Sequence, residues 1–257
     1  MTAAPAHSDV CVITGAAGGL GLAIARRLLR DGYRVALTDR ALGAAEEAAA
    51  SLSGESGAGA GERLGAFALD VSEKAAFEAA LESVKARWGG VGALVNNAAL
   101  TQTSPLFDIT PDEFDRVIDV NMRGVFLGCQ VFGAAFAEQG YGRIVNLASL
   151  AGQNGGSATG AHYAASKGGI VTLTKVFARD LAARGVTVNA ISPGPLDVPL
   201  VRELLPPEKL EAVVASIPVG ALGDPDFIGQ VISLALSPAA RSMTGATLDV
   251  NGGLYLR

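Results

Sequence analysis

The chain has 257 residues, 49% of them hydrophobic and 18% charged, enough to build one packed α/β domain, and no composition shift divides it. A formal net charge of −5, with no basic patch interleaved with aromatics, gives no basis for nucleic-acid binding. No run of about 18 uninterrupted apolar residues exists, and Met1 to Asp9 lacks the charged start and apolar core of a secretory signal, so no membrane partner is expected. Cys11 falls in a predicted strand and Cys129 in an apolar helix, both read as reduced core residues. With His7 and His162 the only histidines, no metal site is expected, and a cytoplasmic location fits.

The first predicted strand, Val10–Thr14, runs into a glycine cluster (Gly15, Gly19, Gly21) and an amphipathic helix from Leu22 to Arg30. Glycines there remove side chains where backbone must approach a pyrophosphate, and the helix N-terminus offers N–H groups and a positive dipole end. The alternative is a turn that serves helix–strand packing only. A second strand, Arg34–Thr38, ends at Asp39. An acid at this distance beyond the glycines accepts from the adenosine ribose hydroxyls and repels a 2′-phosphate. Unit charges about 4 Å apart repel by roughly 4 kcal/mol at an effective dielectric near 20. Half of that is about a thirty-fold preference for NAD over NADP. Arg40 can soften this preference, and Asp39 can alternatively cap a helix beginning near Ala41.

A helix over Leu42 to Leu52 leads into a glycine-, serine- and alanine-rich surface loop, Ser53 to Gly61, and a third strand, Leu64–Leu69. Helices over Ala75–Trp88, Asp112–Glu138, Ala161–Ala183 and Asp226–Leu236 then alternate with strands over Ala93–Asn96, Arg143–Leu147, Val186–Ile191 and Thr247–Val250. Such alternation predicts a doubly wound α/β architecture, seven parallel strands with helices on both faces. Gly15, Asp39, Asp70, Asn96, Ser149 and Pro193-Gly194 then all fall at or just beyond carboxyl ends of strands, where such sheets bind ligands. Asp70 alternatively caps a helix starting near Ser72, and Ser149 alternatively caps a turn.

Tyr163 and Lys167 stand at i and i+4 of a predicted helix, on one face, about 5–6 Å apart between Cβ atoms. An ammonium that close favours the phenolate and suits tyrosine to proton transfer. Ser149 can hold a substrate oxygen and stabilise developing negative charge. His162 either meets substrate or faces away as an ordinary helix residue. Asn121, in an apolar helix, can be a packing polar group.

Thr14-Gly-Ala-Ala-Gly-Gly-Leu-Gly21, Asp70-Val71, Asn96-Asn-Ala-Ala99, Asn121, Ser149, Tyr163-x-x-x-Lys167 and Pro193-Gly194 occur in the order found in short-chain dehydrogenases/reductases, which the chain resembles from about residue 8 to 257. The C-terminal part, Met243 to Tyr255, is most similar to ketoacyl-carrier-protein reductases and their alcohol dehydrogenase relatives. The resemblance implies a single NAD(P)-binding Rossmann domain over 1–257. It implies catalysis by Asn121, Ser149, Tyr163 and Lys167, with Lys167 also on the nicotinamide ribose and Asn121 supporting a water-linked proton relay. Cofactor contacts are expected from Gly15, Gly19, Leu20, Gly21, Asp39, Asp70, Val71, Asn97, Tyr163, Lys167, Pro193, Gly194 and Val198.

Three departures from the family pattern stand out. Ala99 replaces its glycine and adds a methyl near the cofactor. Ser149 and Tyr163 are fourteen positions apart where thirteen is common. Val198 occupies the register of a threonine that bonds the nicotinamide carboxamide. The segment from about 195 to 218 reads as an amphipathic lid over a mostly apolar pocket, with Gln153 and Asn154 as polar substrate contacts. The expected activity is hydride transfer between NAD and a secondary alcohol or ketone, a small-molecule substrate, with Tyr163 as general acid/base. The alternatives are an NADPH-dependent 3-ketoacyl-thioester reductase, or a non-catalytic NAD-binding scaffold. By resemblance the chain is a homotetramer, joined through the two long helices and the C-terminal strand and helix.

Overall fold

A computed structural model describes residues 8–56, 59–156, 160–198, 201 and 206–257. Seven parallel strands form one sheet in the order β3-β2-β1-β4-β5-β6-β7. They are β1 Val10–Thr14, β2 Arg34–Asp39, β3 Leu64–Ala68, β4 Ala93–Asn96, β5 Gly142–Leu147, β6 Val186–Pro193 and β7 Thr247–Val250. The central strands β1, β4, β5 and β6 are buried along their whole length, which is why they read as continuous apolar runs rather than alternating ones. The order reverses between β1 and β4, and the crevice at that switch point is where a doubly wound sheet takes its ligand.

The helices are α1 Gly19–Arg30, α2 Leu42–Ser56, α3 Lys74–Trp88, α4 Pro111–Ile118, α5 Gly124–Gln139, α6 Ala151–Asn154, α7 Ala161–Leu181, α8 Pro207–Ser216 and α9 Pro225–Leu236. One apolar core gathers Phe77 of α3, Phe132 and Phe136 of α5 and Ile170 of α7 against one face of the sheet. The other gathers Ile24 and Leu28 of α1, Leu52 of α2, and Ile228 and Ile232 of α9. Helices therefore cover both faces.

Two differences from the sequence expectation go beyond a shift of up to three residues at an element's end. Helix α2 runs on to Ser56, so the small residues after Leu52 finish a helix before any loop begins. The expected helix over Asp112–Glu138 is continuous from Pro111 to Gln139 but widens into a π turn over Asp119–Arg123, between α4 and α5. This helix is long and apolar enough to cross a membrane by length and composition, yet its apolar side packs against β4, β5 and α3 as a core helix.

Candidate active site

The glycine turn after β1 divides its labour. A Cβ on Gly15, whose φ is 63°, would come within 2.8 Å of the Ala98 backbone. A Cβ on Gly21 would collide with the Gly15 carbonyl and lie 2.7 Å from Asn97 Nδ2. Both glycines therefore serve close packing between β1, α1 and the loop after β4. Gly19, with φ of 52°, and Gly18 have open space where a Cβ would be. Helix α1 begins at Gly18 without a side-chain cap, which leaves its first N–H groups directed at that opening. The packing alternative thus describes two glycines, and the opening beside the other pair fits a dinucleotide pyrophosphate.

Asn97 is committed to the protein: Nδ2 donates to the carbonyls of Thr14 (2.9 Å) and Gly15 (3.0 Å) and so fastens β4 to the glycine turn. Leu20 packs partly buried on the α1-side core. Asp39 accepts from the Ala41 N–H at 3.4 Å, so it helps start α2 while its carboxylate stays partly exposed at the end of β2. Asp70 accepts from both the backbone N–H (3.0 Å) and the hydroxyl (2.7 Å) of Ser72. These bonds, with a smaller contribution from Arg40, hold its carboxyl below the usual range. Val71 is buried against Gly124, leaving its backbone to border a ligand.

The loop after β5 is placed by β6: Ala148 N–H donates to the Ile191 carbonyl (2.8 Å) and Leu150 N–H to the Pro193 carbonyl (2.9 Å). Gly194 N–H donates to Val250 at 3.0 Å, and a Cβ there would meet Asn251. Ser149 caps the turn, as its alternative reading expected. Its hydroxyl accepts from the Ala151 N–H (3.1 Å), starting α6, and it favours the ionised form of the Tyr163 phenol. Thr101, from the loop after β4, favours the ionised phenol in the same direction.

One electrostatic expectation is corrected. Tyr163 and Lys167 do share a face of α7, with Lys167 Nζ 5.6 Å from the centre of the Tyr163 ring. The lysine, however, is buried and donates to the Leu147 carbonyl at 2.6 Å. Burial lowers its pKa to about 8. Burial also raises the Tyr163 phenol, and the bonds that pull it back toward ionisation come from Ser149 and Thr101. The lysine is thus hydrogen-bonded to the strand carbonyl while its ammonium lies beside the phenol ring.

Asn121 lies in the π turn, fully buried. Its Oδ1 accepts from the Leu100 N–H (2.7 Å), and Nδ2 donates to the Leu100 carbonyl (3.0 Å) and Ser166 Oγ (3.1 Å). The side chain is thus spent on holding the loop of Leu100 and Thr101 beside α7. Gln153 is turned onto Asp249 (2.6 Å) and Asn154 onto the Gly156 N–H (2.9 Å), so both are engaged within the protein rather than left open for substrate. His162 neither meets the cleft nor faces solvent: it is buried, with Nε2 2.8 Å from Glu113. Sequence reasoning missed Thr101 and Glu113; only their position beside the Tyr-x-x-x-Lys helix marks them.

Helix α8 lines a cleft of about 560 Å³ with Leu210, Val214 and Ala215, together with Leu222 and the acids Asp197 and Glu211, and none of Ser149, Tyr163 or Lys167 borders it. Part of the expected lid, residues 199–200 and 202–205, and part of the long Ser149–Tyr163 loop, residues 157–159, lie outside the described residues. Val198, which has no hydroxyl, donates its N–H to the Leu196 carbonyl at 3.0 Å, and the Ala99 methyl is exposed. Among the described residues no three His, Cys, Asp or Glu side chains gather as a metal site.

A parallel sheet reversing at β1/β4, an open glycine turn and a Ser149–Tyr163–Lys167 cluster define a dinucleotide-dependent oxidoreductase fold and site. A family model described as enoyl-(acyl carrier protein) reductase matches residues 15–255. The chain is similar to an acetoacetyl-CoA reductase of Shinella zoogloeoides, 35% identical over 96% of this chain and 99% of that protein. It is 35% identical to a 3-oxoacyl-[acyl-carrier-protein] reductase of Vibrio cholerae, over 97% of this chain and 98% of the other. A (3R)-3-hydroxyacyl-CoA dehydrogenase of Canis lupus familiaris is also 35% identical, over 97% of both. The chain belongs to the short-chain dehydrogenase/reductase family, whose members bind a nicotinamide cofactor and carry out oxidoreduction.

Proposed function

We propose that the protein interconverts a 3-oxoacyl thioester and its 3-hydroxyacyl counterpart. The observation that carries this reading is that these three relatives, similar over nearly their full lengths, are all named for such substrates. A 3-hydroxyacyl group is a secondary alcohol, so the chemistry expected from the sequence is kept and its substrate narrowed.

A bound nicotinamide dinucleotide supplies or accepts the hydride at the substrate carbon. Tyr163 delivers the proton to the substrate oxygen during reduction and takes it during oxidation, while Ser149 holds that oxygen and donates to its developing charge. Lys167 keeps an ammonium beside the phenol below about pH 8. Asp39 at the end of β2 supports NAD over NADP, with Arg40 as the residue that tempers the preference. Gly18 and Gly19 would hold the pyrophosphate of a bound dinucleotide, Asp70 and Val71 its adenine side, and the backbone of Pro193, Gly194 and Val198 its nicotinamide. The working assembly is a homotetramer, and a cytoplasmic location accords with two buried free thiols.

A second reading, oxidation of an uncharged secondary alcohol with NAD, is favoured by Asp39 at the end of β2, whose carboxylate repels the 2′-phosphate of NADP. Initial rates with acetoacetyl-CoA and 3-hydroxybutyryl-CoA, beside a panel of neutral secondary alcohols and ketones, each with NAD(H) and NADP(H), decide between them. Thioester turnover at least about tenfold above the best neutral alcohol is expected, a difference of 1.4 kcal/mol in transition-state binding. The reverse order supports the second reading, and turnover retained in Tyr163→Phe removes Tyr163 from the mechanism. Dinucleotide binding without turnover of any substrate leaves only the scaffold.

A further inference from the structure

Tyr163 stands on the first turn of α7, where the backbone N–H groups have no carbonyl one turn earlier to receive them. A side chain at the start of a helix ordinarily takes one of these, but α7 starts at Gly160, which has none. The acceptor comes instead from within the helix: His162 Nδ1 takes the Tyr163 N–H at 2.9 Å. A Cβ on Gly160 would collide with that imidazole, so the glycine is what lets the ring fold back over the helix start. With Nδ1 accepting, the fully buried ring carries its proton on Nε2, which lies 2.8 Å from Glu113 Oε1. The Glu113 N–H is capped by the Thr110 hydroxyl at 3.2 Å, and a glutamate so placed ordinarily turns back onto its own helix start. Here its carboxylate reaches across to α7, and the Ser104 hydroxyl donates to the same oxygen at 2.6 Å. The Gly160 N–H meanwhile donates to the Gln102 carbonyl at 3.2 Å, and Arg116 holds Gln102 Oε1 at 3.1 Å. The loop after β4, α4 and the first turn of α7 are thus latched around one imidazole.

We propose that His162 is the positioning residue for Tyr163: its imidazole, held in one orientation and tautomer by Glu113, fixes the backbone from which the phenol reaches the cleft. Its role rests on Tyr163 being the acid/base of the proposed function. Both ring nitrogens are engaged within the protein, so the imidazole neither takes nor gives the substrate proton. The phenol oxygen is the far end of a long side chain, so a small turn of the backbone at Tyr163 becomes a larger displacement where the proton moves. Proton transfer needs an approach of about 2.6–3.2 Å between heavy atoms and is sensitive to such a displacement. Lys167 lies one turn further along and is tied independently to the Leu147 carbonyl, and the glycine turn after β1 belongs to another part of the sheet. Loss of the imidazole therefore acts on the proton step and leaves dinucleotide binding as it was.

The test uses the full chain with His162→Phe, which keeps a ring and removes both nitrogens, and His162→Asn, whose side-chain oxygen stands close to the place of Nδ1. Glu113→Leu, Glu113→Gln and Tyr163→Phe complete the set. Oxidation of 3-hydroxybutyryl-CoA, or of the best secondary alcohol if the thioester is inert, is measured in H2O and D2O and expressed per site that binds NADH, so that unfolded protein does not enter. In His162→Phe and Glu113→Leu, kcat is expected to fall about tenfold, with KM and NADH affinity within about threefold of wild type. The solvent isotope effect on kcat is expected to grow in both, because a misplaced phenol slows the proton step. His162→Asn and Glu113→Gln, which keep an oxygen acceptor, are expected to stay within about threefold of wild type. An undiminished kcat in His162→Phe (or in Glu113→Leu, if His162→Phe binds no NADH), an unchanged isotope effect, or His162→Asn as slow as His162→Phe overturns the proposal alone if Tyr163→Phe is inactive. Rate and NADH affinity falling together, or NADH binding lost from both His162→Phe and Glu113→Leu, overturns it equally, since the latch then serves folding. Turnover retained in Tyr163→Phe, or absent from the wild type, overturns the acid/base reading and this proposal with it.

Discussion

Lys167 shows at the residue scale how a site is kept against the interest of stability. A buried lysine whose pKa has fallen from 10.5 to about 8 is held charged at neutral pH at a cost of about 3 kcal/mol. The sign follows from proton binding. Between about pH 8 and 10.5 the unfolded chain binds more protons at this group than the native one, so its contribution to stability rises with pH across that window. Lys167→Met is expected to raise Tm at about pH 7 by roughly 3–6 °C and to flatten the rise in urea midpoint between about pH 7 and pH 9.5, while abolishing turnover. Unchanged stability in that variant would mean the ammonium is solvated in the native protein. Asp39 is the second residue whose effect can be isolated. Asp39→Ala is expected to lower the ratio of kcat/KM for NAD over NADP about thirty-fold, read from steady-state rates with each dinucleotide.

At the scale of elements, the site depends on two close crossings. The π turn between α4 and α5 aims Asn121 at Leu100, where it satisfies both backbone groups of that residue. Asn121→Ala leaves them without these partners and is expected to cost about 2–4 kcal/mol in chemical unfolding, with kcat falling more than dinucleotide affinity because the Thr101 loop is released. The second crossing brings α6 onto α7 with almost no separation. A Cβ on Gly152 would lie 2.5 Å from the backbone of both Lys167 and Gly168. Gly152→Ala is therefore expected to push Ser149 and Tyr163 apart, lowering kcat at least tenfold, while the glycine turn and its affinity for dinucleotide are untouched. Equal losses of affinity and rate, measured by dinucleotide titration beside turnover, would place the crossing elsewhere in the function.

Over the whole molecule, two groups of exposed apolar side chains lie on the helices expected at the tetramer contacts, beside others at Leu42, Leu100, Leu106, Phe107 and Phe114. Phe126 and Val176 are exposed on α5 and α7, with Phe126 tilted onto Phe177. Phe227 and Leu234 are exposed on α9, with Val219 lining one cavity together with Phe227. Two such patches are what a tetramer of the proposed kind requires, one for each pair of contacts. Phe126→Asp is expected to reduce the sedimenting species to a dimer, and Phe126→Asp with Leu234→Asp to a monomer. A double variant that sediments as wild type would exclude these faces as the interfaces.

The sequence by itself determined the class of fold and the positions where function gathers. Apolar runs such as Val10–Thr14 and Ala93–Asn96 bury both faces of a strand, and the glycines, Asp39, Ser149 and Pro193-Gly194 then fall beyond strand ends by counting alone. Local chemistry was legible because it depends on spacing along the chain, as with Tyr163 and Lys167 on one helical face. What tertiary structure decided was partnership. Spacing could not reveal that Lys167 turns to the Leu147 carbonyl, that Gln153 is taken by Asp249, or that Gly21 serves packing while Gly19 opens on the cleft. Nor could it join His162 to Glu113, 49 positions away in the chain. Each of these is a competition among hydrogen-bond partners and burial that is settled only when separate segments are brought into contact, where the cost of an unsatisfied buried group outweighs any local preference.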